Sequence, residues 1–234
     1  MKLAALVLLV AVGIAFTSLG SEALSPHQVI QALMGGAPPY WKVCFALDSS
    51  GSISDSEWSC SKSSTRNILA IINSTPAPNS VSIFKHKIGL VRFSSTTPTQ
   101  VIFSMGTHPF FPANDAAIAA VEKVGYWTNL YKALVLCDGE LGSLGKRLVW
   151  IMTDGQYNKG GDPRPTAAVM KKKGIIICVV VIGDNVNWTV INAIASWIWV
   201  KTSSGYFIYV RCVLIYQTCK AYFLASYPLL TVVP

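Results

Sequence analysis

Short apolar runs rich in β-branched and aromatic residues recur along the chain, separated by stretches in which polar and apolar positions mix at helical spacing. The runs predict strands over 43–47, 88–93, 100–105, 148–152, 175–182 and 206–210, several without polar interruption, as suits strands covered on both faces. The mixed stretches predict helices over 55–73, 115–124, 128–137, 163–173 and 187–197. Ser54 with Glu57 three residues on forms a capping box that starts the first helix, and Asn185 or Asn187 caps the last. The segment KIGLVRFSSTTPTQVIF holds two strands and a short polar turn, too little chain for a crossover helix, so these two pair antiparallel. Everywhere else strand and helix alternate. The expected fold is α/β: a doubly wound, mostly parallel six-stranded sheet with one antiparallel edge strand and helices on both faces, Rossmann-like in layout.

The two ends of the chain change this picture. Residues 1–20 carry one early lysine, an apolar stretch and small residues suited to cleavage, the pattern of a secretory signal peptide. Residues 21–39, ending in MGGAPP, read as a linker; residues 40–211 are the folded domain, and 212–234 a hydrophobic tail. For the tail a buried final helix, an unfolded extension and a lipid-anchor signal all stay open; Lys220 and Pro228 argue against a plain membrane span.

At 234 residues and 52% hydrophobic content, the chain suffices for one domain with a large core. A secreted, extracellular protein permits its six cysteines to form disulfides, in pairings that sequence does not choose among. Cys44 and Cys178 lie inside apolar runs and read as buried free thiols, and no zinc spacing occurs. Asn73 and Asn187 head glycosylation sequons. The formal charge of +8 favours anionic partners such as sulfated glycans or acidic proteins, but is too dispersed to indicate nucleic acid. Its densest run, Lys171 to Lys173, falls at a helix end, where cations suit the helix dipole.

The chemistry concentrates where strands end. Ligands of doubly wound sheets bind at the carboxyl ends of strands, where the strand order reverses. ALDSSGSIS follows the first strand there, and TDGQYN follows the 148–152 strand in the same way. With GYWTNLYKAL they offer Asp48, Ser50, Ser52, Thr128 and Asp154, carboxylates and hydroxyls only. An all-oxygen set suits a hard divalent cation, Mg²⁺ or alternatively Mn²⁺, and not zinc or copper.

D-x-S-x-S after the first strand, a threonine before asparagine, and TDG after a later strand resemble the von Willebrand factor type A domain over residues 40–211, of the extracellular matrix, collagen-associated and matrilin-like kind. The resemblance implies a metal-ion-dependent adhesion site in which Ser50 and Ser52 bind the metal directly, Thr128 directly or through water, and Asp48 and Asp154 mainly through water. Two departures stand out. Gly125-Tyr126-Trp127 replaces the glycine pair common ahead of the threonine, and the stretch after 206–210 lacks the acidic residues of the family's usual charged last helix.

The expected function is metal-bridged adhesion, with an Asp or Glu of an extracellular protein partner completing the coordination. The alternatives are a metal-independent matrix module that binds collagen or glycans through its basic surface, and a hydrolase. No G-x-S-x-G elbow appears, and His27, His86 and His108 lie outside the three loops, His86 between lysines where exposure is expected, so no enzyme is expected.

Overall fold

The computed structural model describes residues 25–36, 39–202, 205–217 and 220–223; the expected signal peptide, Cys219 and the tail beyond Phe223 lie outside them. The strands are β1 (Trp41–Asp48), β2 (Lys87–Phe93), β3 (Gln100–Phe103), β4 (Lys146–Thr153), β5 (Ile175–Val181), β6 (Trp197–Lys201), β7 (Phe207–Arg211), β8 (Val213–Gln217) and β9 (Lys220–Phe223). The helices are α1 (Pro26–Met34), α2 (Asp55–Asn73), α3 (Phe111–Ala119), α4 (Leu130–Leu141), α5 (Pro163–Lys172) and α6 (Trp188–Ile194).

β1 is buried along its length except at Lys42, because it is a central strand of the sheet. The order is β3-β2-β1-β4-β5-β8-β9, parallel between β2 and β8, with β3 antiparallel at one edge as expected. β9 adds a seventh strand, antiparallel to β8, at the other edge. Alternation along β1 separates two cores. Val43, Phe45 and Leu47 face α1, α2 and α3 through Ile30, Leu69 and Ile118. Cys44 and Ala46 face α4, α5 and α6 through Leu134, Met170 and Ile191. This sandwich holds the sheet rigid, and its order reverses between β1 and β4.

Four expectations need correction. The supposed linker holds α1, opened by a capping box between Ser25 and Gln28 and anchored by buried Val29, Ile30 and Met34. The 206–210 strand does not enter the main sheet: β7 pairs with β6, which follows α6 without a turn-rich gap, in a separate two-stranded ribbon. The ribbon forms because WIWVK alternates, Ile198 and Val200 inward and Trp199 outward. The sixth position in the sheet falls instead to β8, parallel to β5 and within the supposed tail, whose first residues are therefore strand. Finally, Cys44 and Cys178 are not free thiols: Cys44 is bonded to Cys137 of α4, and Cys178 of β5 to Cys212. Cys60 is disulfide-bonded as well.

Candidate metal centre

Three loops meet at the carboxyl ends of β1 and β4. The first runs from Asp48 to Ser54, where the capping box with Glu57 starts α2: Ser54 N–H donates to Glu57 Oε2 at 2.7 Å, and Glu57 N–H to Ser54 Oγ at 3.3 Å. A cap of this kind contributes about 1 kcal/mol and sets where the loop ends. Within the loop, Ser50 N–H donates to Asp48 Oδ1 at 3.0 Å, and the Ser50 and Ser52 hydroxyls lie 3.1 Å apart. Asp48 and Ser50 are buried, whereas Ser52 is exposed.

The second loop, 125–129, is stitched onto the first. Gly125 N–H donates to Ser49 O at 2.8 Å and Gly51 N–H to Tyr126 O at 2.8 Å. Ser94, just past β2, steadies it from beneath through its hydroxyl, which donates to the carbonyls of Gly125 and Trp127. A side chain at position 51 would bring its Cβ within 3.1 Å of Tyr126 O, so the close approach of the two loops calls for glycine there. Tyr126 itself adopts the left-handed conformation, φ 73°, and is 72% exposed. Trp127 also projects outward, with Lys159 Nζ 5.2 Å from its ring centre, so these bulky residues form a rim and do not fill the site.

Thr128 is buried and tied to the third loop. Its N–H donates to Asn158 Oδ1 at 2.8 Å, and its carbonyl accepts from the N–H groups of Asn158 at 3.1 Å and Lys159 at 3.2 Å. Among the described residues its hydroxyl has no hydrogen-bond partner, so it is available to a ligand. In the third loop Asp154, also buried, accepts from Gln156 N–H at 2.8 Å. Thr153 donates to Asp48 Oδ2 at 2.7 Å and accepts from Gly155 N–H at 3.1 Å, linking the first and third loops. All five expected residues thus lie on one hydrogen-bonded assembly. Thr153 and Asn158, which position Asp48 and Thr128, are additions; only their adjacency to Asp154 in TDGQYN could have suggested them.

The electrostatics of the assembly favour a cation. Burial, then the negative charge of Asp154, push the Asp48 carboxyl up from 3.8 to about 7. Burial raises Asp154 too, with Glu57 adding to it and the Ser52 hydroxyl opposing it. Neither carboxylate has an ion-pair partner among the described residues. Nor does any cluster of three or more His, Cys, Asp and Glu occur among those residues that could hold a metal, so the remaining ligands here are hydroxyls. Two crowded carboxylates beside three hydroxyls fit a hard divalent cation, which would offset their mutual repulsion.

The other expected residues fall elsewhere. Asn73 and Asn187 are half-buried, and each uses Oδ1 internally: Asn73 accepts from Val81 N–H at 3.1 Å, Asn187 from Val190 N–H at 3.2 Å as the cap of α6. His86 is not exposed. It is buried at the opposite end of β2, where its Nε2–H donates to Thr75 O and its Nδ1 accepts from Trp41 N–H, both at 2.9 Å. Burial lowers its affinity for a second proton.

Residues 42–199 match the family model described as the von Willebrand factor type A domain. No curated protein sequence matches the chain. Among solved structures, proximal thread matrix protein 1 of the mussel byssus, with a zinc-occupied MIDAS motif, aligns at TM-score 0.61 and 18% identity over 70% of this chain and 40% of that one. A second crystal form of the mussel protein gives TM-score 0.58 and 19% identity over 68% and 42%. The manganese-loaded TRAP protein of Plasmodium vivax gives TM-score 0.55 and 19% identity over 74% and 65%. The chain therefore spans about two fifths of the mussel protein's length. At such identities the likeness is one of fold.

Proposed function

The chain belongs to the von Willebrand factor type A domain family, and on that footing we propose that it is a secreted adhesion or matrix-interaction module whose metal centre captures an acidic side chain of a protein partner. The observation that carries this reading is the pair of buried carboxylates, Asp48 and Asp154, crowded together by the Ser50 and Ser52 hydroxyls, with Thr128 tied to the same third loop, at the point where the strand order reverses. Ser50 and Ser52 would hold Mg²⁺, or alternatively Mn²⁺, directly, Thr128 directly or through water, and Asp48 and Asp154 mainly through water. A cation bound chiefly by neutral hydroxyls keeps net positive charge and supplies it to an incoming carboxylate.

The chain's own residues do the rest. Thr153 and the Ser50 N–H orient Asp48, Asn158 holds Thr128, and the stitched loops fix the spacing before any partner arrives, so little ordering entropy is spent on binding. Around the centre, Tyr126, Trp127 and Lys159 form an aromatic and cationic rim suited to the interface core of a protein partner. Binding, not catalysis, fits this arrangement: His86, engaged at both ring nitrogens, lies at the far end of the sheet. Similar structures carry zinc and manganese, the former explicitly at the MIDAS motif, which supports a divalent ion at this position. Disulfides at Cys44–Cys137 and Cys178–Cys212 support an oxidising, extracellular setting, and a matrix role of the collagen-associated or matrilin-like kind belongs to the same reading.

Calorimetric titration of the purified mature chain with Mg²⁺ and Mn²⁺ tests the proposal. Saturable binding is expected in the wild type and its loss in the double variant Ser50→Ala, Ser52→Ala. An absence of binding in the wild type, or binding that survives in the variant, would overturn it.

A further inference from the structure

All eleven acidic residues of the chain lie at or before Asp184; the stretch 185–234 contains none, yet it holds Lys201, Arg211 and Lys220. Within it the β6–β7 ribbon turns one face to the core, through Ile198 and Val200, and the other to solvent. Register fixes the solvent face: Trp197 stands opposite Arg211, Trp199 opposite Tyr209, and Lys201 opposite Phe207. The rings form a continuous row. Trp197 stacks on Tyr209 at 5.2 Å between centres, and Tyr209 contacts Trp199 at 4.9 Å. A cation closes each end: the Arg211 guanidinium lies 4.5 Å from the Trp197 ring centre and Lys201 Nζ 5.9 Å from that of Phe207. Lys171 joins the Arg211 end, since both side chains donate to carbonyls of the 192–195 segment.

Packing within the row stabilises the ribbon through its aromatic pairs. That accounts for the contacts between rings but not for the surface left over. Trp199, Tyr206 and Phe207 remain 45%, 57% and 50% exposed; among the described residues no element covers them, and neither Lys201 nor Arg211 has a carboxylate partner. The two cations stand four residues apart along each strand, about 14 Å, with aromatic edges between them.

We infer that the outward face of the β6–β7 ribbon is a metal-independent binding surface for an acidic polysaccharide. A sulfated or uronate-bearing chain presents what this face lacks: negative charges spaced along an extended polymer, with the C–H faces of sugar rings between them to lie on aromatic side chains. Charge complementarity selects the occupant. A second copy of the chain would bring like charge against Lys201 and Arg211. Single-stranded nucleic acid shares the polymer charge and stacks on aromatics, but the disulfides suit an oxidising compartment, where the abundant polyanions are glycans. The surface uses none of the metal-centre residues, so either site can fail alone.

The test titrates the full mature chain, in EDTA, with a heparin-type sulfated oligosaccharide, next to its desulfated and carboxyl-reduced counterpart and a single-stranded DNA oligonucleotide of matched charge. Saturable, salt-sensitive binding of the sulfated sugar is expected, at least tenfold weaker in Lys201→Glu and in Trp199→Ser, and unchanged in the Ser50→Ala, Ser52→Ala variant. Unfolding curves of the two ribbon variants that match the wild type assign their losses to the surface and not to misfolding. Absent binding in EDTA, equal affinity in folded Lys201→Glu, equal binding of the desulfated sugar or of the oligonucleotide, or dimerisation that accounts for the signal would each overturn the inference.

Discussion

Replacing Asp48 with asparagine should stabilise the protein in the absence of divalent metal and lose most of that advantage in its presence. The asparagine side chain imitates the protonated carboxyl: its Oδ1 still accepts from Ser50 N–H, and its amide donates to the Thr153 hydroxyl where the carboxylate accepted from it. The Asp48 carboxyl sits at about 7 in the fold against an ordinary 3.8. The folded state therefore binds this proton more tightly than the unfolded one; the stabilisation is complete below about pH 4 and is lost as pH rises through 7. At 1.36 kcal/mol per pKa step, keeping Asp48 ionised at pH 8 costs the fold on the order of 4 kcal/mol. Burial and the Asp154 charge cause that cost, and Asp48→Asn removes both contributions at this position. Guanidinium unfolding followed by tryptophan fluorescence, with disulfides intact, measures the gap between the two proteins. In EDTA the variant should be more stable by up to about 4 kcal/mol at pH 8, the gap narrowing steadily towards pH 4. His86 titrates in both proteins and cancels from the difference. With Mg²⁺ at a hundred times its dissociation constant the wild type gains about 2.7 kcal/mol and the variant far less, shrinking the gap at pH 8 to about 1–2 kcal/mol. A variant no more stable than wild type in EDTA at pH 8, or a gap independent of pH, would refute the assignment of Asp48 as a charge held against burial for a cation.

Three further outcomes follow from the loops and core. Gly155→Ala puts a Cβ 2.7 Å from Ile191 Cδ1 at a φ of +77°, so it should destabilise the fold by about 1–3 kcal/mol and weaken Mg²⁺ binding in the same calorimetric titration. Tyr126→Gly relieves a left-handed non-glycine backbone and should raise stability by up to about 1 kcal/mol in urea unfolding, while Mg²⁺ affinity stays within about twofold because the exposed ring belongs to the rim. The double replacement Cys44→Ala, Cys137→Ala removes the bond between β1 and α4 and should cost about 2–5 kcal/mol in denaturant unfolding under non-reducing conditions.

Most of the fold and the five residues of the candidate centre were legible in sequence because they rest on local rules. Uninterrupted apolar runs mark buried parallel strands, the Ser54–Glu57 box marks the start of α2, and the oxygen-bearing residues sit close to strand ends or helix starts. What escaped depended on contacts between distant segments or on a misleading neighbour. Cys44 pairs with Cys137 because alternation turns Cys44 onto the face that α4 covers, a fact of packing that no spacing reveals. MGGAPPY drew residues 21–39 into a linker, although Ser25, Pro26 and Gln28 carry the same capping signature as α2. β6 was not predicted: the helix prediction ran on to residue 197, its first residue, because its alternation begins directly after a helix, without Gly or Pro between. His86 seemed exposed between Lys85 and Lys87, yet its two ring nitrogens answer backbone groups 45 and 11 residues away in the chain.

The Cys178–Cys212 bond has a mechanical consequence. It ties the two ends of the segment that contains α6 and the whole ribbon, a separation of 34 residues. Tension drawn along the chain cannot lengthen that segment while the bond is intact, which withholds roughly 115 Å of extensible contour. Among the described residues the ribbon's strands pair in a sheet ladder only with each other and would otherwise peel apart in sequence under load. With its ends tied, force passes by it, and the outer face of the ribbon stays folded when the chain is pulled.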